Sequence, residues 1–445
     1  KVLAETCVDD KEEKIFSSLN GGKVNLDGAD LLRAILMTRA AKEKYHGTSA
    51  TSEVREFRIR MGMELDLMNL WFGKTADYFK QFISDQTIGM ARINRFDFTT
   101  LPINLLYLLY YEYRRNEKES LNFSFFEYGK NSNDNPDDDR WEMYLELQEM
   151  YAILQRWYND KELYHYLGFL FFNFKAQTPF RDIYTQWKAL NSRDKFLKDI
   201  QHTIATRMLD RYLEETEKAA PDYQKCLKTM TEAISDFREN WYNNDKELYQ
   251  ILILLDIFRI LDSKSIKKLP TDYFTRKSGQ KDGEDKEHIL SQTPRKDNGE
   301  ITTIKTDWEK FVQSEDFKDI RSQMQDILNH SDAELTEQEL IQLQNLLNSA
   351  GLNSIGNMAL LDLRINRSYG NADYTHKRTI IFQEYMNQKY VRPHTLAVFM
   401  KGDIDAREAT GIPLNRWTLE DIKRNTDKIA KEIGKNFNAW LTQNN

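Results

Sequence analysis

Glu287 and His288, in DKEHILSQ (285–292), and Asn357 and Asn366, nine residues apart in IGNMALLDLRIN (355–366), are residue types from which phosphodiester hydrolysis can be built. A carboxylate offers oxygen to a hard cation. An imidazole near its unperturbed pKa of roughly 6.5 can take a proton from attacking water, and carboxamides orient both. In this reading His288 is the general base, Glu287 and Asn366 hold Mg2+ or Mn2+, and Asn357 hydrogen-bonds backbone across the loop to fix the imidazole. Taken singly, each residue has a plain structural alternative, because the chain holds seven histidines and 70 acidic residues. The order is more specific: acid and His at the end of one strand, Asn on a second, and Asn near the start of a helix is the order of a ββα-metal site.

The elements needed to position these residues can be read from pattern. TRKSGQKDGEDK (275–286) is polar and Gly-bearing, a linker or exposed loop leading into the His288 segment. A helical insertion follows, with capping-box spacing from Thr336 to Glu339, an apolar stripe of Leu340, Leu343 and Leu347, and Gly351 as its stop. IGNMALLDL then reads as a short strand and 372–390 as a helix. A last amphipathic helix starts at Thr418 and Asp421 and carries Ile422, Ile429, Ile433, Phe437 and Trp440. Upstream, a helix starts near Asp27 or Gly28, helical stretches cover 61–83 and 101–113, and NSNDNPDDD (131–139) is a loop. WYNDKELY (157–164) is echoed by WYNNDKELY (241–249). In each copy the Asn/Asp cluster is expected to cap the helix that follows, while Trp and Tyr pack against neighbours.

With only 18 Gly and 8 Pro in 445 residues, long helices with short polar loops are expected, so the fold class is mainly α. The formal charge of −7 argues against a basic coat for nonspecific nucleic-acid binding. The local balance differs. From Arg364 to Lys401 the basic residues Arg364, Arg367, Lys377, Arg378, Lys389, Arg392 and Lys401 face only Asp373 and Glu384. Lys377 and Arg378 are therefore candidates for phosphates flanking the cleaved bond, the alternative being a solvated helix face. Cys7 and Cys226 are too few for a disulfide framework, which fits a reducing compartment and a cytoplasmic location. LYQILILLDIFRIL (248–261) is interrupted by Gln250, Asp256 and Arg259 and is shorter than the ~20 residues of a spanning helix, so it reads as buried, with no membrane partner. The chain opens on Lys1 without an initiator Met, and a fragment is expected.

DKEHILSQ with a later N-x8-N resembles the HNH endonuclease motif. It is most similar to the C-terminal HNH domain of GmrSD-type restriction proteins, whose pattern runs EHIxPQ, xIGNLxLL, Asn, then a helix with an aromatic residue and Lys-Arg. Here the matching residues are EHILSQ, SIGNMALL, Asn366, and Tyr374 with Lys377-Arg378, while WTLEDIKRNTDKIA (417–430) matches the terminal helix. Ser291 stands where the family usually has Pro. At the front, FSSLNGGKVNLDGADLLRA (16–34) resembles the F-x-x-x-N segment of the ParB-like nucleotide-binding domain of those proteins, with Phe16 and Asn20 matching. Gly21 and Gly22 permit close backbone approach, and Lys23 can meet a phosphate, against the alternative of an ordinary turn. The family's DGQQR motif is absent, so half of that pocket is present and NTPase activity is not expected of this chain alone.

The resemblance implies a remnant of the nucleotide-binding domain at 1–45, a helical region at 46–268, and an HNH endonuclease domain at 269–445. It also implies DNA as substrate, modified or phage-derived, a role in modification-dependent restriction or antiphage defence, and an NTP bound by a longer chain. A homodimer is left open. The rival from another class is a non-catalytic helical scaffold that binds DNA or protein and keeps a degenerate HNH fold.

Overall fold

Asp27 does what a helix-capping residue does: its backbone is extended and its carboxylate accepts from the amide of Ala29 at 2.9 Å, starting α1 (Gly28–Ile35). The computed structural model describes residues 27–45, 52–115, 120–122, 125–126, 140–265, 268–276, 283–290, 318, 321–329, 336–347, 351–363, 365, 374–401 and 414–442. Phe16, Asn20, Lys23, Ser291 and Asn366 lie outside the described residues. The chain is mainly helical and divides into two compact units, one of residues 1–160 and 174–191, the other of 161–173 and 192–445.

The first unit contains α1, α2 (Ser52–Phe79), α3 (Asp85–Ile93), α4 (Asn104–Arg114), α5 (Arg140–Asn159) and, after an excursion into the second unit, α7 (Phe180–Leu190). One face of α2 buries Val54, Phe57, Met61, Leu65, Met68 and Phe72. α4 is buried on nearly every side, from Asn104 to Glu112. Such burial of large apolar side chains is worth about 1.5–3 kcal/mol each and outweighs weak local propensity.

The second unit begins with α6 (Lys161–Asn173) and continues through α8 (Arg193–Leu209), α9 (Tyr223–Ser235) and α10 (Asp245–Asp262). The apolar run expected to be a buried helix is α10, buried from Glu247 to Phe258. Asn244 occupies its N-cap position, yet its side-chain amide donates to Glu247 at 2.8 Å, so the capping bond expected from the Asn/Asp cluster is not made there.

Next come β1 (Glu284–His288), α11 (Arg321–Leu328), α12 (Glu337–Leu347), β2 (Met358–Asp362), α13 (Tyr374–Met386), α14 (Pro393–Met400) and α15 (Leu419–Thr442). The box at Thr336 and Glu339 is reciprocal, as is that of Thr418 and Asp421 at the start of α15. β1 and β2 pair antiparallel, with Glu287 opposite Ala359 and His288 opposite Met358. Beneath the hairpin lies a core that includes Ile289, Leu361, Tyr374, Ile381, Phe399, Trp417 and Ile422. α15 buries Ile422, Ile429, Ile433, Phe437 and Trp440 and packs on α8 and α9. No described helix is long and apolar enough to cross a membrane.

Candidate active site at the end of the hairpin

The strand pairing ends at His288, where Ile289 N still donates to Asn357 O at 2.9 Å. Just beyond it the Asn357 carboxamide takes over. Its Oδ1 accepts from Leu290 N at 2.7 Å, and its Nδ2 donates to Leu290 O at 3.0 Å and Leu352 O at 2.9 Å. Asn357 is fully buried, so these bonds satisfy a polar group that water cannot reach and fix the chain that follows the histidine.

Gly356, one residue earlier, lets this turn lie against the backbone of α15. A Cβ there would sit 2.3 Å from both Ile422 O and Thr426 Oγ1, and Asn425 Nδ2 donates to Gly356 O at 2.8 Å. The terminal helix is thereby a strut for the site.

The His288 side chain is held from two directions. Its Nε2 lies 2.8 Å from Asn353 Oδ1, and the Tyr242 ring stacks on it at 4.8 Å between centroids and 18° between planes. An amide oxygen accepts only, so the neutral ring carries its proton on Nε2 and leaves Nδ1 as the basic nitrogen. Burial pushes the imidazole down to about 4; the Asn353 hydrogen bond opposes this, and the charges of Lys377 and Lys286 add to it. At neutral pH the ring is an uncharged proton acceptor.

Tyr242 belongs to the second Trp-Tyr-Asn echo, and the same turn holds Asn353 by its backbone, Trp241 N donating to Asn353 O at 3.0 Å. Lys286 ties down Tyr242 through its carbonyl and also pairs with Asp245, its ammonium 4.1 Å from the Tyr242 ring centre. The sequence assigns this echo to packing alone and misses both Tyr242 and Asn353. Neither contact is local, and one Asn in an Asn-rich stretch carries no signal of its own.

Glu287 meets Lys377. The ammonium on α13 donates to Glu287 Oε1 at 2.6 Å and to His288 O at 2.7 Å, and the lysine is completely buried. Burial lowers the lysine's pKa while Glu287 opposes that shift. Lys377 is therefore not an outward phosphate contact, as the sequence suggests, but an internal counter-ion.

The rest of the basic stretch behaves alike. Arg392 is buried between Glu284 at 2.7 Å and Asp256 at 2.8 Å, Lys401 is buried on Asp421 at 2.8 Å, and Lys389 pairs with Glu384. The acids of Arg392 and Lys401 come from outside the stretch, where a sequence window does not count them, whereas Glu384 lies within it. Arg378 is half-buried, with Nε donating to Phe399 O at 3.0 Å; Arg364 and Arg367 lie outside the described residues.

Among the described residues no group of three or more His, Cys, Asp or Glu is placed to hold a metal ion. What fits a cation is the Glu287 carboxylate, which already has an ammonium against one oxygen. A single carboxylate suits a hard cation that keeps most of its waters.

The acid-His strand end is thus braced by a buried carboxamide, and here the comparison with known families is specific. Residues 231–432 match the family model for GmrSD restriction endonucleases, C-terminal domain. No curated protein and no solved structure gives a match. This portion of the chain therefore carries a domain of the GmrSD restriction endonuclease type, a class of proteins that cut DNA.

Proposed function

We propose that this chain is a metal-dependent HNH endonuclease that hydrolyses DNA phosphodiester bonds in modification-dependent restriction or antiphage defence. The observation that carries the reading is the neutral His288 ring, with Nδ1 left as acceptor, one residue from Glu287. In this mechanism His288 Nδ1 takes the proton of the attacking water while Asn353 holds the proton on Nε2. Asn357 keeps the following turn in place. Glu287 and Asn366 would hold Mg2+ or Mn2+, which when bound supplies charge stabilisation for the phosphate and the leaving oxygen. Arg378 contributes to the flanking phosphates. Phe16, Asn20 and Lys23 belong to half of a nucleotide pocket that binds NTP only when completed. The setting we propose is the cytoplasm.

Two observations favour the scaffold reading instead: Lys377 engages Glu287, and His288 is only 7% exposed. Plasmid cleavage with Mg2+ or Mn2+ separates the two, comparing unmodified with phage-modified DNA and the wild-type chain with His288→Ala. Metal-dependent cleavage lost in His288→Ala is the expected result. DNA binding without cleavage, or cleavage indifferent to His288→Ala, supports the scaffold.

A further inference from the structure

α2 is apolar on two opposite faces. Its inner face packs in the core, yet Ile59, Met63, Leu67 and Leu70 stand outward with 63%, 61%, 61% and 63% of their surfaces exposed. Spacings of four, four and three residues place them in one stripe along the helix. Such a stripe covers on the order of a few hundred Å2, the size of the largest apolar patch on a typical monomer, which is often functional. The same stripe continues to Glu56 at one end and Lys74 at the other, both exposed.

The pattern is self-complementary in one orientation. Two copies crossing antiparallel about an axis level with Leu65 bring Met63 opposite Leu67 of the second copy and Glu56 opposite Lys74, with Ile59 within one residue of Leu70. A parallel pairing sets Glu56 against Glu56 and Lys74 against Lys74, so charge selects the antiparallel one. Asp66 near the axis is already neutralised by Arg33, and Arg60 reaches Glu56 within its own helix at 3.9 Å. We infer that α2 is the seam of a homodimer in which two copies of this chain pair antiparallel through the Ile59-Met63-Leu67-Leu70 stripe. The stripe alone is smaller than the roughly 800 Å2 per partner of a standard interface, so the dimer is reversible and concentration-dependent.

Sedimentation velocity of the full chain over a dilution series tests this. The wild type is expected to move from monomer to dimer as concentration rises. Leu67→Glu, an exposed change that leaves the helical circular dichroism intact, is expected to be monomeric throughout. Glu56→Lys weakens the dimer at least tenfold, and adding Lys74→Glu in the same chain restores it. A monomeric wild type overturns the inference, including one whose stripe captures a different protein. So does a dimer that survives Leu67→Glu, or a double charge swap that fails to restore pairing.

Discussion

Asn353 Oδ1 accepts a hydrogen bond from His288 Nε2 at 2.8 Å, and this contact selects which imidazole nitrogen can act as a base. With Tyr242 against the ring face, the imidazole can neither flip nor change tautomer without losing a partner. Asn353→Ala is expected to leave the fold intact and lower cleavage by about 10–100-fold, the usual effect of removing a group that orients a reactive histidine. The 15N spectrum of the His288 ring gives a readout independent of activity. The wild type shows the Nε2-protonated tautomer and the variant a mixture; an unchanged tautomer in Asn353→Ala would contradict the assignment.

Lys377 and Arg378 are neighbours in sequence with different surroundings. Lys377→Met leaves Glu287 without its buried partner and should destabilise the chain by about 3 kcal/mol in urea unfolding. The same change should leave the salt dependence of DNA binding as it is, because a buried ammonium displaces no counterions. Arg378→Ala should do the reverse, lowering the slope of log K against log salt by about 0.9 with little loss of stability. A drop in slope for Lys377→Met would return that residue to the DNA surface.

What was legible in the sequence was local. Asp27, Thr336 with Glu339, and Thr418 with Asp421 mark helix starts because capping is settled within three residues. The order strand, insertion, strand, helix could be read from apolar period and turn residues. The side chains that finish the site were not legible. Lys377, Arg392 and Lys401 read as a basic strip because their partners Glu287, Glu284, Asp256 and Asp421 are not in that strip. Tyr242 and Asn353 reach His288 only through tertiary packing, which no spacing rule encodes.

Gly356 tests whether α15 supports the site. The added methyl of Gly356→Ala meets backbone atoms of Ile422 and Thr426, which cannot swing aside as a flexible side chain can. The 3-10 turn Ile355–Asn357 must therefore back away from the helix, at a cost of roughly 2 kcal/mol. Moving this turn also moves Asn357. Thermal unfolding should shift downward and cleavage should fall with it. Full stability in the variant would mean that the turn does not press on α15.

His165 gives the fold a dependence on acid that is separate from the nuclease site. The ring is fully buried in α6, its Nδ1 donates to Lys161 O at 2.5 Å, and its Nε2 accepts from Leu269 N at 2.9 Å. Burial pushes its pKa down to about 4, from roughly 6.5 in an unfolded chain. A depressed folded pKa means that the unfolded state binds the proton more readily. The stabilisation is therefore complete above about pH 6.5 and lost progressively as pH falls towards 4, amounting to roughly 3 kcal/mol over that window. Protonation also turns Nε2 into a donor facing the Leu269 amide, two donors with no acceptor between them. Urea unfolding of the wild type and His165→Gln at pH 7.5 and pH 5 checks this: the wild type should lose more stability than the variant on acidification, and equal losses would assign the effect to other groups.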